Sequence, residues 1–371
     1  MVKVLHIANT QFFLERLLQG KLKGLASAGH EIHVAAPYES ASFLPYPFYD
    51  IPIPRTMKIF ECLRAVRKLE KLLDAKRFDL IHTHSSIGGM IGRYAAHRKG
   101  IKCIHTVHGL PFYEGQNKAQ YLLYYTLEKY AARLCDAILF QNHEEMELCD
   151  SLGFDSPLFY EGNGINIEAL QAQAAYTRAS FGLSDTDFVL GFFARIEPVK
   201  GHLFFIEAFE KLYKRLPCAH VLLGGANLGR STDYTSRVND VLSSSPAKSQ
   251  FHVLGFREDV PCILPLCDAL VLPSQKEGIP RIAMEAMALG VPVIATKVQG
   301  TRELIENESS GLLVPYGDVP ALTEAMQRVA CDNALRHTLI ECGKARIASA
   351  FDEREVIKRI LVAYDGVFKG S

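Results

Sequence analysis

Short apolar runs rich in Val and Ile alternate along this chain with longer stretches in which apolar positions recur at helical spacing. VKVLHIA opens the series, followed by a helical pattern over Gln11 to Ala28, then HEIHVAAP, a helical pattern over Met57 to Lys76, and FDLIHTH. KCIHTVH and DAILFQN add strands, and the segment LFYEGNGIN ends a first unit. The rhythm then restarts, with strands expected at Phe188 to Ala194, Ala219 to Gly225, Phe251 to Leu254, Ala269 to Pro273 and Pro292 to Thr296. Apolar strands alternating with helices describe parallel sheets covered on both faces. The pattern predicts an α/β chain of two doubly wound, Rossmann-like units joined near residues 165 to 185. Ligands of such sheets gather beyond the carboxyl ends of the strands, and two facing units leave a cleft, so chemistry is expected in the loops that follow strands.

Composition agrees with two cores: 371 residues, 48% hydrophobic and 22% charged, is ordinary for a globular protein and long for one domain. No apolar run reaches the roughly 18 residues that span a bilayer. The start, MVKVLHIANT, enters strand-like alternation instead of the apolar stretch of a signal peptide, so a cytoplasmic protein is expected. Nine cysteines, an odd number without a C-x-x-C pair, read as reduced and mostly buried. Lys plus Arg and Asp plus Glu are both 41, which argues against a nucleic-acid partner. That neutrality is a cancellation, because residues 1–133 hold 19 basic and 10 acidic side chains. Within residues 57–77 seven basic side chains outnumber three acidic ones and are interleaved with Ile59, Phe60, Leu63, Leu69, Leu72 and Leu73. The segment 113–130 adds Tyr113, Tyr121, Tyr124, Tyr125 and Tyr130. Together they predict a face for an anionic membrane surface, peripheral on the inner side of the plasma membrane. Helices that merely cover a sheet with solvated outer faces would read the same way.

Two constellations carry candidate chemistry. Arg195 and Lys200, in ARIEPVKGH, follow a strand and precede a helix, and two cations there suit a diphosphate: the guanidinium as a fork, the ammonium as a point charge. A turn with two unrelated surface charges is the plainer alternative. The segment Leu272 to Thr296 runs strand, loop, helix, Gly-Val-Pro turn and strand. Gly278 permits close backbone approach, Pro280 suits a first helical turn, and the amides of Ile279, Arg281 and Ile282 would open the helix as an anion site. Glu277 suits sugar hydroxyls, and Glu285, eight residues on, a ribose diol; either is otherwise an ordinary helix or surface acid. Glu285 lies in the apolar stretch IAMEAMALG, where an acid needs a partner. His82, His84, His105 and His108 stand at two strand ends, but no acidic ligand is near them in the sequence, so no metal site is assigned. Asp185 and Asp187 imitate a metal-binding D-x-D, yet precede a strand where turn residues belong.

ARIEPVKG followed by the Glu277-x7-Glu285 spacing resembles the retaining glycosyltransferases of family 4, two-domain nucleotide-sugar enzymes of the GT-B fold. HVLGFREDV and the tail FDEREVIKRILVAYDGVF extend the likeness over nearly the whole chain. The resemblance implies an acceptor-binding domain at residues 1–168, a nucleotide-sugar domain at 169–351, and a terminal helix at 352–371 that crosses back to the first domain. It implies that Arg195 and Lys200 hold the donor diphosphate, Glu277 the transferred sugar and Glu285 the ribose, with Gly255, Phe256 and Arg257 flanking the base mainly through backbone. His108 would face the sugar and Gly109 would allow close backbone approach. The family's usual Gly-Gly after the first strand is replaced here by Asn9-Thr10-Gln11-Phe12-Phe13, so Thr10, Gln11, Phe12 and Phe13 are candidates for an acceptor pocket. HTVHGLPFYEG and the Tyr-rich helix resemble bacterial capsule, exopolysaccharide and lipid-linked glycan enzymes. The implied donor is a UDP-sugar, with an N-acetylhexosamine such as GalNAc favoured, the acceptor an undecaprenyl-diphosphate saccharide, and neither a resident cofactor nor a divalent metal is implied. A nucleotide-sugar 2-epimerase and a non-catalytic sugar-nucleotide binder share the architecture and remain alternatives.

Overall fold

In this computed structural model, which describes every residue except 41–42, 114–115, 172–175, 227–231 and 370–371, contacts divide the chain into two units. One comprises Met1–Asn163 with Glu353–Ser371, the other Gly164–Asp352.

Seven parallel strands form the sheet of the first unit: β1 (Lys3–Ile7), β2 (Glu31–Ala36), β3 (Phe48–Asp50), β4 (Leu80–His84), β5 (Lys102–Val107), β6 (Ala137–Phe140) and β7 (Leu158–Tyr160). Their order across the sheet is β3-β2-β1-β4-β5-β6-β7. Alternate positions feed two cores, as the period of two requires. Leu5, Ile7, Ile81 and Cys103 pack with the helices Ile59–Ala75 and Ser86–Lys99 on one face. Val4, Leu80 and Ile104 face Leu22 and Leu25 of Gln19–Ser27 and Val356, Ile360 and Tyr364 of Glu353–Lys369 on the other.

The second unit has six parallel strands, β8 (Phe188–Phe193), β9 (Ala219–Gly224), β10 (Phe251–Gly255), β11 (Ala269–Leu272), β12 (Val293–Thr296) and β13 (Leu312–Val314). They are ordered β10-β9-β8-β11-β12-β13. Each order reverses direction beside its first strand, which opens a crevice at the carboxyl ends.

The continuous helix expected over Gln11 to Ala28 is corrected. A π-helical turn, Phe13–Leu17, precedes the helix Gln19–Ser27, and Leu18 N–H donates back to Phe13 O at 3.3 Å. β3 and β13 were not anticipated from the sequence; three residues are too few to display an alternating pattern. Residues 114–115 of the tyrosine-rich segment lie outside the described residues.

Candidate active site

The second unit gathers the expected donor residues on loops that follow β8 and β11, which are neighbours in the sheet. After β8 a short turn, Pro198–Lys200, enters the helix His202–Arg215 through Gly201 at φ +74°. A side chain at Gly201 would stand 2.0 Å from Pro273 O, so only glycine lets the two loops lie together. Gln275 N–H donates to Val199 O at 2.8 Å across the same seam. The consequence is a contact between residues 77 apart: Lys200 Nζ is 2.7 Å from Glu277 Oε1, which also accepts from Ser274 Oγ at 2.6 Å. The lysine and glutamate side chains are 17% and 12% exposed. A cation and a carboxylate expected at opposite ends of one ligand are thus a single shielded pair. Arg195 is more open and bonds Glu197 Oε1 at 2.9 Å.

Glu277 leads into Gly278, whose carbonyl oxygen would be 1.6 Å from a Cβ at Gly300, so the loop sits directly on Gly300. Ile279 sends its side chain into the core. The helix Arg281–Ala288 then starts at Pro280 without a side-chain cap, and its first amides have no intrahelical acceptor. Glu285, 8% exposed, has the partner its apolar setting demands: Arg281 Nε, one turn earlier, is 2.8 Å from its Oε1. The Arg281 guanidinium is therefore engaged with Glu285.

Beyond β8, β9 and β10 a cavity of about 180 Å³ is bordered by Arg195, Gly225, Phe256, Arg257 and Ile282. Gly225 N–H donates to Gly255 O at 2.7 Å and ties two of these strand ends together. The Arg257 guanidinium is spoken for by Asp259, at 2.8 and 2.6 Å, and by Tyr176 Oη at 3.0 Å, so it shapes the wall without a free charge. Asp187 closes the turn before β8 by accepting from Ser184 N–H at 2.7 Å, as a turn residue does.

In the first unit His108 and Gly109, at φ +123°, leave β5 and border a cavity of about 190 Å³ together with Asn9 and Ser85. Asn9 N–H donates to Ser85 Oγ at 3.0 Å, and Ser85 has φ +63°. Ser85 directly follows β4 and Asn9 stands two residues past β1, but neither residue type marks a site in the sequence. Phe13 meets the His108 ring edge-on at 4.8 Å, Phe12 is 51% exposed, and Thr10 Oγ1 accepts from Phe13 N–H at 3.2 Å. Gln11 is a correction. It is buried, donates to Glu15 at 2.8 Å and to Ser40 O at 2.9 Å, and accepts from Glu39 and Ser40 N–H, so it braces the loop and has nothing left for an acceptor. Burial pushes His108 down to about 3, with Lys21 opposing its charge as a smaller cause. His6, His82 and His84 have ligand atoms within 4.8 Å of one another and are, by proximity, the histidines that could share a metal.

The two segments read as a membrane face meet in an apolar cavity of about 270 Å³ bordered by Met57, Ile59, Leu63, Tyr94, Leu127 and Tyr130. Ile59 and Phe60 are 71% and 88% exposed. Among the described residues no helix is long and apolar enough to cross a membrane.

Residues 14–169 match the family described as Glycosyltransferase Family 4, and residues 175–346 match Glycosyl transferases group 1. The chain belongs to the glycosyltransferases. Similar proteins include the UDP-Gal:alpha-D-GlcNAc-diphosphoundecaprenol alpha-1,3-galactosyltransferase of Escherichia coli, 29% identical over 84% of this chain and 81% of its own length. The putative glycosyltransferase EpsD of Bacillus subtilis is 27% identical over 98% and 96%. Among solved structures, sucrose-phosphate synthase of Thermosynechococcus elongatus superposes with a TM-score of 0.86 at 20% identity, covering 100% of both chains. HepE of Anabaena, solved with UDP and glucose, gives 0.84 at 21% identity over 98% of this chain and 100% of its own. This glycosyltransferase therefore has the GT-B fold, with a Rossmann-like sheet in each unit.

Proposed function

We propose that this glycosyltransferase moves a sugar of galacto configuration, galactose or N-acetylgalactosamine, from its UDP derivative to a saccharide carried on a polyprenyl diphosphate. The anomeric configuration is retained, and the work belongs to assembly of a bacterial surface glycan. The observation that carries the reading is the Lys200–Glu277 pair at the carboxyl ends of adjacent strands. The E. coli relative, whose name gives a UDP-Gal donor and a diphosphoundecaprenol acceptor, supports the substrate class.

The reaction breaks the bond between the sugar's anomeric carbon and the UDP phosphate oxygen, and charge grows on the leaving diphosphate. Lys200, Arg195 and the amides that open Arg281–Ala288 stabilise that charge. Glu277 accepts from the sugar's hydroxyls while its contact with Lys200 aligns sugar and phosphate. The acceptor hydroxyl attacks on the face the diphosphate leaves, and its proton passes to a phosphate oxygen of UDP. Glu285, held by Arg281, takes the ribose diol, and Gly255 to Arg257 border the base. With the charge handled by cations and amides, no divalent metal is needed. The basic, apolar face around Ile59 and Phe60 rests on the membrane that holds the acceptor, peripherally and on the cytoplasmic side.

Purified enzyme with UDP-galactose or UDP-N-acetylgalactosamine in EDTA tests the reading. UDP release is expected only when an undecaprenyl-diphosphate saccharide is added. Conversion of the donor to its epimer without acceptor would instead favour the epimerase, and binding without release under any acceptor the non-catalytic reading.

A further inference from the structure

One face of the first sheet holds a row of buried polar side chains that sugar transfer gives no reason to bury. His6 on β1, His82 and His84 on β4 and Thr106 on β5 share the face covered by the helix Glu353–Lys369, and each is at most 3% exposed. They form a continuous chain of hydrogen bonds. Thr106 Oγ1 is 2.7 Å from Glu161 Oε2 and 2.8 Å from His82 Nε2. His82 Nδ1 is 2.8 Å from Tyr364 Oη, and Tyr364 Oη is 3.5 Å from His6 Nε2. His6 Nδ1 lies 3.1 Å from His84 Nε2, and His84 Nδ1 lies 3.1 Å from His108 Nε2. At the far end Glu161 is paired with buried Lys21.

The direction of every link follows from that end. A carboxylate only accepts, so the single Thr106 proton goes to Glu161, and Thr106 oxygen must accept from His82 Nε2–H. Burial keeps His82 and His84 well below the ordinary histidine range, and His6 at about 3, so each ring carries one N–H. His82 Nδ1 is then bare and accepts the Tyr364 proton. Tyr364, its proton spent, accepts from His6 Nε2–H; bare His6 Nδ1 accepts from His84 Nε2–H; bare His84 Nδ1 accepts from His108 Nε2–H. The opposite sense would spend the Thr106 hydrogen on His82 and leave the hydroxyl oxygen facing the Glu161 carboxylate lone pair to lone pair, with no hydrogen between them.

We propose that Glu161, acting through Thr106, His82, Tyr364, His6 and His84, fixes His108 in the tautomer protonated on Nε2 and so leaves Nδ1 as the acceptor nitrogen of the site. These are positioning residues, and the proposal rests on the reading that puts His108 at the sugar. Nδ1 accepts from a sugar hydroxyl, with Phe13 against the ring edge restraining its rotation. Gln141 also hydrogen-bonds His108, a smaller cause that acts upward on it, and either end of its amide can face the ring. The chain also accounts for the three histidines close enough to share a metal, because both nitrogens of each ring are already engaged.

Long-range proton–nitrogen correlation on the full chain labelled with [15N]histidine tests this without any substrate. His108 is expected with Nε2 protonated and Nδ1 bare. Thr106→Val, which removes neither member of the Lys21–Glu161 pair, should convert that signal to a mixture of tautomers and lower kcat by about 10- to 100-fold with the donor KM unchanged, by analogy with the loss of outer partners of metal-ligating histidines. Tyr364→Phe should act likewise, and Thr106→Ser should restore both readouts. His108 protonated on Nδ1 in the wild type, an unchanged tautomer or kcat in Thr106→Val, or a stoichiometric metal that survives chelation would overturn the proposal. A correct tautomer with His108→Ala turning over at the wild-type rate would remove His108 from the sugar site and leave the chain standing.

Discussion

In the proposed reaction Lys200 combines charge for the donor phosphate with a direct bond to Glu277, the carboxylate assigned to the sugar. Lys200→Ala should lower kcat by about 10²- to 10³-fold, the cost of losing one preorganised donor to a developing anion. Steady-state kinetics checks it, and wild-type turnover would remove the pair from the mechanism. The buried histidines make a separate prediction. His6 has its folded value lowered to about 3, and unfolded histidine titrates near 6.5, so the unfolded chain alone takes up a proton between them. Its contribution is fully present above about pH 6.5 and declines by about 1.4 kcal/mol per unit as pH falls toward 3. Melting temperature should therefore drop steadily below neutral pH, and less so in His6→Gln; identical acid profiles for the two would contradict this.

At the scale of elements, strands and their following loops were legible because each strand is a short apolar run ended by polar or glycine residues. That is why Lys200 and Glu277 were found separately. Their contact was not legible, since the alignment depends on β8 and β11 being adjacent and on Gly201 closing the seam. The Arg281–Glu285 bond is legible as a spacing of four on one helix. Gln11 misled for the opposite reason: a polar residue in a loop after a strand reads as ligand-facing until burial is known. Asn9 and Ser85 carried no chemical signature beyond position. The packing of Gly300 on the loop that carries Glu277 and Gly278 yields a further test. Gly300→Ala forces a methyl against Gly278 O, and overpacking of this kind costs about 1–3 kcal/mol. Displacement of the loop should raise the donor KM with secondary structure unchanged by circular dichroism; an unaltered KM would show that the loop is not part of the donor site.

For the whole molecule, a net charge of zero conceals an excess of nine positive charges over residues 1–133. Four of those net charges fall in residues 57–77, and each is worth about 1 kcal/mol beside an anionic leaflet. Reversible binding to vesicles of anionic lipid is expected in flotation, weakened by salt and by Phe60→Ser, with none to neutral vesicles; equal flotation on both would remove the electrostatic share. In the proposed function such a face would bring a soluble donor and a membrane-held acceptor to one enzyme. The most direct measurement of that account is the lipid product itself, formed in vesicles from UDP-galactose or UDP-N-acetylgalactosamine and undecaprenyl-diphosphate saccharide, with its new linkage read by proton NMR. One added sugar in the α configuration on the lipid-linked acceptor is expected, whereas a β linkage, or no lipid product across a panel of UDP-sugars and such acceptors, would contradict retaining transfer to a lipid-linked acceptor.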